Sequence, residues 1–316
     1  MKKEIRVVDQ AKGIVRITSC DERWYARSTT DQVTGLPVYQ YVPSVTWIAE
    51  HYPKGIGFYK WLANTGWDEA EALKEAAGDK GSKVHQAISH LLDGNTVPMD
   101  GMVTNPTTGQ AEPLTLEEYD ALRAFAAWHT AAQPILVEKD IVVWNDAHGY
   151  AGTIDFLCRM GSALWLLDFK TSQGVWPSHE LQVSAYKHAR PEWSAAKLGI
   201  LQIGYRRNRD GYKLTEVEDQ FPLFLAAKQI WAKETAGQSP KQRDYPLQLQ
   251  LSIPHAPAVP ANGAGTATEP TAGGANGPVR GRTETDGLRK SAGGRVGVGQ
   301  RPGSPVRRTP GVPGQK

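Results

Sequence analysis

"GYAGTIDFLCRMGSALWLLDFKTS", Gly149 to Ser172, holds two apolar runs joined by Gly161-Ser162, and its reading decides the fold. A glycine at the first central position suits a two-residue type II′ turn, whose twist matches that of paired strands. The turn sets the register of an antiparallel hairpin and places Asp155 directly opposite Asp168. Lys170, two residues further on, points to the same face. Leu157, Leu164 and Leu166 also lie on that face, with Phe156, Trp165, Leu167 and Phe169 on the other, so both sides of the hairpin read as covered.

Opposed like charges destabilise a strand pair. At about 5 Å and an effective dielectric near 20 the repulsion is about 3 kcal/mol. An exposed sheet edge, or a plain Asp168–Lys170 pair, would explain an isolated D-x-K. Register, apolar surroundings and a basic group on the same face point instead to a divalent cation. Hard oxygen ligands with room for water and phosphate suit Mg²⁺ or Mn²⁺, and an ion beside a lysine is equipment for phosphodiester hydrolysis.

Working outward, the first forty residues alternate β-like runs such as "GIVRITS" and "RWYARSTT" with turn signals, and predict hairpins over 1–42. "YVPSVTWIAEHY" leads into a helix capped by Ser44 or Thr46. "GSKVHQAISHLLDG" predicts a helix over 81–94, with His85 on the side of Ile88 and Leu92; a helix histidine of this kind is by itself ordinary. Residues 94–114 read as a polar, mobile loop. "TLEEYDALRAFAAWHT" opens with Thr115 and Glu118 in capping-box register. After it come the strand Ile135–Trp144, the hairpin, a helix over 178–189, strands at "LGILQIGYRR" and "YKLTEVE", and a helix over 222–235. Helix, three strands, helix, two strands and helix make an α/β domain with a mixed sheet over 43–251.

From Ser252 onward the chain has nine basic and three acidic residues, and no Phe, Tyr or Trp, while the rest has 27 basic and 30 acidic. Such a Gly-, Pro- and Arg-rich stretch reads as a disordered basic tail over 252–316, either plainly solvated or an arm that adds salt-sensitive affinity for nucleic acid. No signal peptide and no membrane-length apolar run is read, so the expectation is a cytoplasmic protein without a membrane. Cys20 and Cys158 are the only cysteines, too few for a four-thiolate iron-sulfur cluster. No Walker-type phosphate loop is present, which excludes ATP hydrolysis by this chain alone.

In order, "PSVT" (43–46), "GSKVH" (81–85), "VEKDI" (137–141), "GTID" (152–155), "DFK" (168–170) and "LQVSAY" (181–186) resemble the PD-(D/E)XK nucleases, RecB-type exonuclease group, as in phage exonucleases and the mitochondrial genome-maintenance exonuclease. The resemblance implies a restriction-endonuclease-like core and a metal-dependent DNA exonuclease. It implies His85, Asp155, Asp168 and the Phe169 carbonyl as metal ligands, with Asp155, Asp168 and Lys170 catalytic. Gln182 and Tyr186, four apart on one helix face, would line the site, and Glu138 would stand behind it. Ser44 and Thr46 would either offer a helix N-terminus to a phosphate or simply cap. The implied substrate is DNA, with single strands or free ends favoured, in phage or prophage recombination, replication or processing in the bacterial host cytoplasm; a recombination or single-strand-binding protein is a candidate partner. A structure-specific or nicking endonuclease and a non-catalytic nucleic-acid-binding module are the competing readings.

Overall fold

The computed structural model describes residues 3–235 except 20, 21, 33, 34, 36, 106 and 107. The chain divides into Met1–Leu251 and Ser252–Lys316; the second unit, with the tail expectation, lies outside the described residues, as does Cys20.

The chain begins with a four-stranded antiparallel meander, β1 (Lys3–Asp9), β2 (Ile14–Ser19), β3 (Glu22–Thr30) and β4 (Pro37–Pro43). Three helices follow, α1 (Val45–Glu50), α2 (Ile56–Thr65) and α3 (Trp67–Leu92), then a short hairpin of β5 (Met102–Thr104) and β6 (Ala111–Pro113), and α4 (Leu116–Ala132). The second half supplies β7 (Ile135–Asn145), β8 (Tyr150–Met160), β9 (Ala163–Lys170), α5 (Pro177–Lys187), β10 (Lys197–Ile203), β11 (Tyr212–Val217) and α6 (Phe221–Glu234). Its five strands form one mixed sheet in the order β11-β10-β9-β8-β7, in which only β9 and β10 run parallel, joined across α5.

The sheet is covered on both faces, because its central strands are apolar on both sides. On one face Leu157, Leu166, Leu198 and Ile200 pack with α1, α5 and α6; on the other, Phe156, Leu167, Phe169 and Leu201 pack with α3 and α4. Three tryptophans join the meander to the first layer: Trp24 of β3, Trp47 of α1 and Trp231 of α6 meet edge to face, with centroids 5.0, 5.3 and 5.8 Å apart. Such pairs contribute about 0.5–1.5 kcal/mol beyond the area they bury. A further small core, with Tyr25 and Val42 of the meander against Val142 and Ala151 of the sheet, anchors the two sheets together. Among the described residues no helix is long and apolar enough to cross a membrane.

Two expectations are corrected. The helix expected over 81–94 begins at Trp67; its first fourteen residues are rich in Ala, Glu and Lys, good helix formers, but bury only Ala70, so they carry no apolar stripe to announce them. The stretch 94–114 contains β5 and β6 rather than a bare loop. Val103 and Leu114 are buried against α3 and α4, and Gln86 Oε1 of α3 accepts from the Thr104 N–H at 2.7 Å.

Candidate active site

The β8–β9 register is the one the turn sets. Its rungs run from Met160↔Ala163 to Phe156↔Leu167, and Gly161 has φ +60° while Ser162 does not enter the positive region, as a type II′ turn requires. The paired rungs stop there, one short of the aspartates. The Asp155 carboxylate instead turns onto the next strand, where its Oδ2 accepts the Phe169 N–H at 2.8 Å.

Asp168 is 1% exposed. Its Oδ1 accepts from Gln182 Nε2 at 2.8 Å, and its Oδ2 lies 2.5 Å from Lys170 Nζ, although no hydrogen bond of good geometry reaches that buried oxygen. Lys170 also donates to Gln182 Oε1 at 3.2 Å, and Gln182 Nε2 donates to the Tyr186 hydroxyl at 2.9 Å. One amide thereby fixes a carboxylate, an ammonium and a phenol. Helix spacing makes this possible, since Gln182 and Tyr186 are one turn apart on α5, which packs on β9 and β10.

His85 arrives from α3. Its ring bridges Asp155 and β9, with Nδ1 3.2 Å from Asp155 Oδ1 and Nε2 3.0 Å from the Phe169 carbonyl oxygen. Both nitrogens face acceptors, which favours the doubly protonated ring. Burial pulls the His85 pKa down, but the Asp155 charge and hydrogen bond outweigh it and the net direction is up. The two carboxyls are driven apart. Burial pushes Asp168 up to about 6, against the pull of Lys170, with the Asp155 charge adding to the rise. Asp155 is held below the ordinary range because the His85 charge and hydrogen bond, Lys170 and the Phe169 N–H together outweigh its own burial. Neighbouring acids separated in this way are characteristic of catalytic sites.

Among the described residues no three His, Cys, Asp or Glu side chains are arranged so as to hold a metal ion by themselves. The donor set is two carboxylates, the Phe169 carbonyl and, once the ring gives up a proton, the His85 imidazole, and the carboxylates are engaged by Lys170 and His85. Hard oxygens of this kind are chemically suited to a hard divalent cation.

Gly152 of the "GTID" stretch explains itself here. A Cβ at this position would lie 2.5 Å from Tyr186 Cε1 and 3.3 Å from Val45 Cγ2, so only glycine lets the tyrosine ring lie against the strand. Gly152→Ala is therefore expected to destabilise the protein by about 1–3 kcal/mol through overpacking, read as a lowered melting temperature. An unchanged melting temperature would show that Tyr186 is not held where the geometry places it.

Of the remaining residues singled out in the sequence, Ser44 is an N-cap: its buried Oγ accepts from the Trp47 N–H at 3.0 Å. The structure gives the capping reading, and α1 is only six residues long. Thr46 lies half-buried in its first turn. Glu138 is about half exposed and lies 3.7 Å from Arg190. Asp140 takes the place nearest the site instead. It has φ +51°, and it lines a small cavity with His85, Ser89, Lys139, Asp155 and Phe169; Ser89 Oγ donates to its Oδ2 at 2.6 Å. The sequence reading also missed His179, three residues before Gln182. Burial and the charges of Lys170 and Lys54 pull its pKa down to about 3. Its spacing on α5 was the available signal.

No protein-family model matches the chain, and no curated protein matches it. Among solved structures, the chain is similar to the crystal structure of an alkaline exonuclease (LHK-Exo) from Laribacter hongkongensis, at 10% identity and a TM-score of 0.33, over 61% of this chain and 86% of that one. It is also similar to the crystal structure of SSO0001, at 15% identity and a TM-score of 0.25, over 38% of this chain and 57% of that one. Likenesses this distant carry no argument, and the site rests on its own geometry.

Proposed function

We propose that the protein is a Mg²⁺- or Mn²⁺-dependent deoxyribonuclease, an exonuclease that hydrolyses phosphodiester bonds at Asp155, Asp168 and Lys170. The observation that carries this reading is the junction of β8, β9, α3 and α5, where two carboxylates with divergent pKa values share a buried cluster with a lysine, a histidine and a main-chain carbonyl. Asp155, Asp168, the Phe169 carbonyl and His85 would hold the ion. When bound, the ion lowers the pKa of a water and shields the scissile phosphate. Free-ended or single-stranded DNA as substrate, and a role in phage or prophage DNA processing, are supported by the order of the sequence motifs.

The chain's own residues have separate tasks. Lys170 places an ammonium beside the carboxylate pair, where it can orient the attacking water and stabilise the charge that develops on the phosphate. Gln182 accepts from that ammonium and donates to Asp168, so one side chain sets the distance between the two. Tyr186, buried behind Gln182, keeps its proton because burial first, then the Asp168 charge, holds its pKa well above the ordinary value. It acts as a fixed polar support rather than as an acid.

The test of end dependence uses 5′-labelled and 3′-labelled linear single strands beside a closed circle, all with Mg²⁺. Digestion of the linear strands from one labelled end, with the circle intact, is expected. Equal cutting of the circle would make the protein an endonuclease of the same chemistry.

A further inference from the structure

Helix α2 has no buried residue. Ile56 is 71% exposed, Tyr59 54%, Trp61 42% and Phe58 41%, and the Phe58 ring centroid lies 5.6 Å from that of Tyr59 and 5.8 Å from that of Trp61. A ten-residue helix is marginal in water unless an apolar face is buried. Here the aromatic side chains face solvent as a group, and a contiguous apolar patch marks a binding surface.

Charge selects the occupant. Between Tyr52 and Gly66 the chain carries Lys54 and Lys60 and no Asp or Glu, while the acidic first turn of α3, with Asp68 and Glu69, bounds the patch on one side. Aromatic faces beside ammonium groups, on an element without carboxylates, match a strand that offers bare base faces and phosphates together. A duplex hides its base faces, and an apolar protein partner leaves the lysines without a role.

We propose that the Phe58–Tyr59–Trp61 cluster of α2, flanked by Lys54 and Lys60, is a stacking platform for single-stranded DNA, a proposal that rests on the nuclease reading for its substrate class. Base-on-aromatic stacking is tolerant of sequence and strong enough to hold a strand without reading it. Lys54 and Lys60 contact the phosphates between stacked bases, which makes binding salt-dependent.

The test is fluorescence anisotropy of a labelled oligothymidylate of about 20 nucleotides with EDTA present, comparing the full chain with its Phe58→Ala/Trp61→Ala double variant; loss of two stacking rings is expected to weaken binding at least about tenfold. A strand of the same length with abasic sites throughout is expected to bind both proteins alike. Because the replaced side chains are exposed, the melting temperature should be unchanged. Equal affinity of both proteins for oligothymidylate, or no binding by the wild type, would overturn the platform. A wild type that sediments as a dimer, and a double variant that sediments as a monomer, would make α2 a subunit interface instead. The two readings fail separately. A wild type that never cleaves DNA but binds oligothymidylate through α2 removes the nuclease and keeps the platform; a double variant that binds and cleaves like the wild type removes the platform alone.

Discussion

Lys170→Ala is expected to lower DNA cleavage by about 10²–10⁴-fold, the range lost when a positioned proton-transfer group or a charge-stabilising donor is removed. Its ammonium contacts the Asp168 carboxylate at 2.5 Å and lies 3.2 Å from the Gln182 amide oxygen. Lys170→Arg should be nearly as poor, because a planar guanidinium cannot enter the space of a compact ammonium between those two acceptors. The fold should survive, since a buried carboxyl left without its partner takes up a proton rather than stay charged. Cleavage rates and circular dichroism on the same samples check both halves, and a fully active Lys170→Ala protein would remove the lysine from the mechanism.

In EDTA, the stability of Asp168→Asn relative to the wild type is expected to rise with pH and to fall on acidification. The folded carboxyl titrates at about 6, against an ordinary value of 3.8, so the folded state binds the extra proton between those limits. A raised pKa contributes stability that is full below the unfolded value and lost as pH rises through the folded one. Between pH 4.5 and 7.5 the difference between the two proteins should therefore shift steadily in favour of the variant as pH rises, read as a change in the melting-temperature difference. The comparison matters because other groups also titrate. His85, raised, acts in the same direction as Asp168; His179, pulled down to about 3, loses stability as pH falls through the ordinary histidine range. His179 is present in each protein and cancels in the difference, while the loss of the Asp168 charge also lowers the His85 pKa, which that charge helps to raise. A difference that does not vary with pH would mean that Asp168 is not held against ionisation by its burial.

Much of this arrangement was legible in the sequence, for physical reasons that differ from one residue to the next. Gly161-Ser162 set the β8–β9 register because side chains alternate with a period of two, so one turn places every residue on a face. Helix geometry puts Gln182 and Tyr186 one turn apart on one face, while their place at the site was implied by the family resemblance alone. The break at the aspartate rung was not readable, since it depends on the Phe169 N–H turning to the Asp155 carboxylate. Alternation also places Glu138 and Asp140 on one face, but Asp140 adopts a left-handed backbone, which breaks the alternation and turns Asp140 toward α3 while Glu138 meets Arg190. Helix α2 escaped the reading because its apolar residues have no core to point at, and a periodicity argument finds only faces that are buried. The hairpin of β5 and β6 is too short to show alternation, and it is fixed by contacts with α3 and α4 that local pattern does not contain.

The most direct test of the central claim is hydrolysis of a 5′-labelled single strand by the full-length protein with Mg²⁺, with Mn²⁺ and with EDTA, beside Lys170→Ala at equal concentration. Cleavage with either ion, absent in EDTA and lost in the variant, is the expected result. Cleavage that persists in EDTA, or that the variant retains in full, would contradict a metal-dependent site built on Asp155, Asp168 and Lys170.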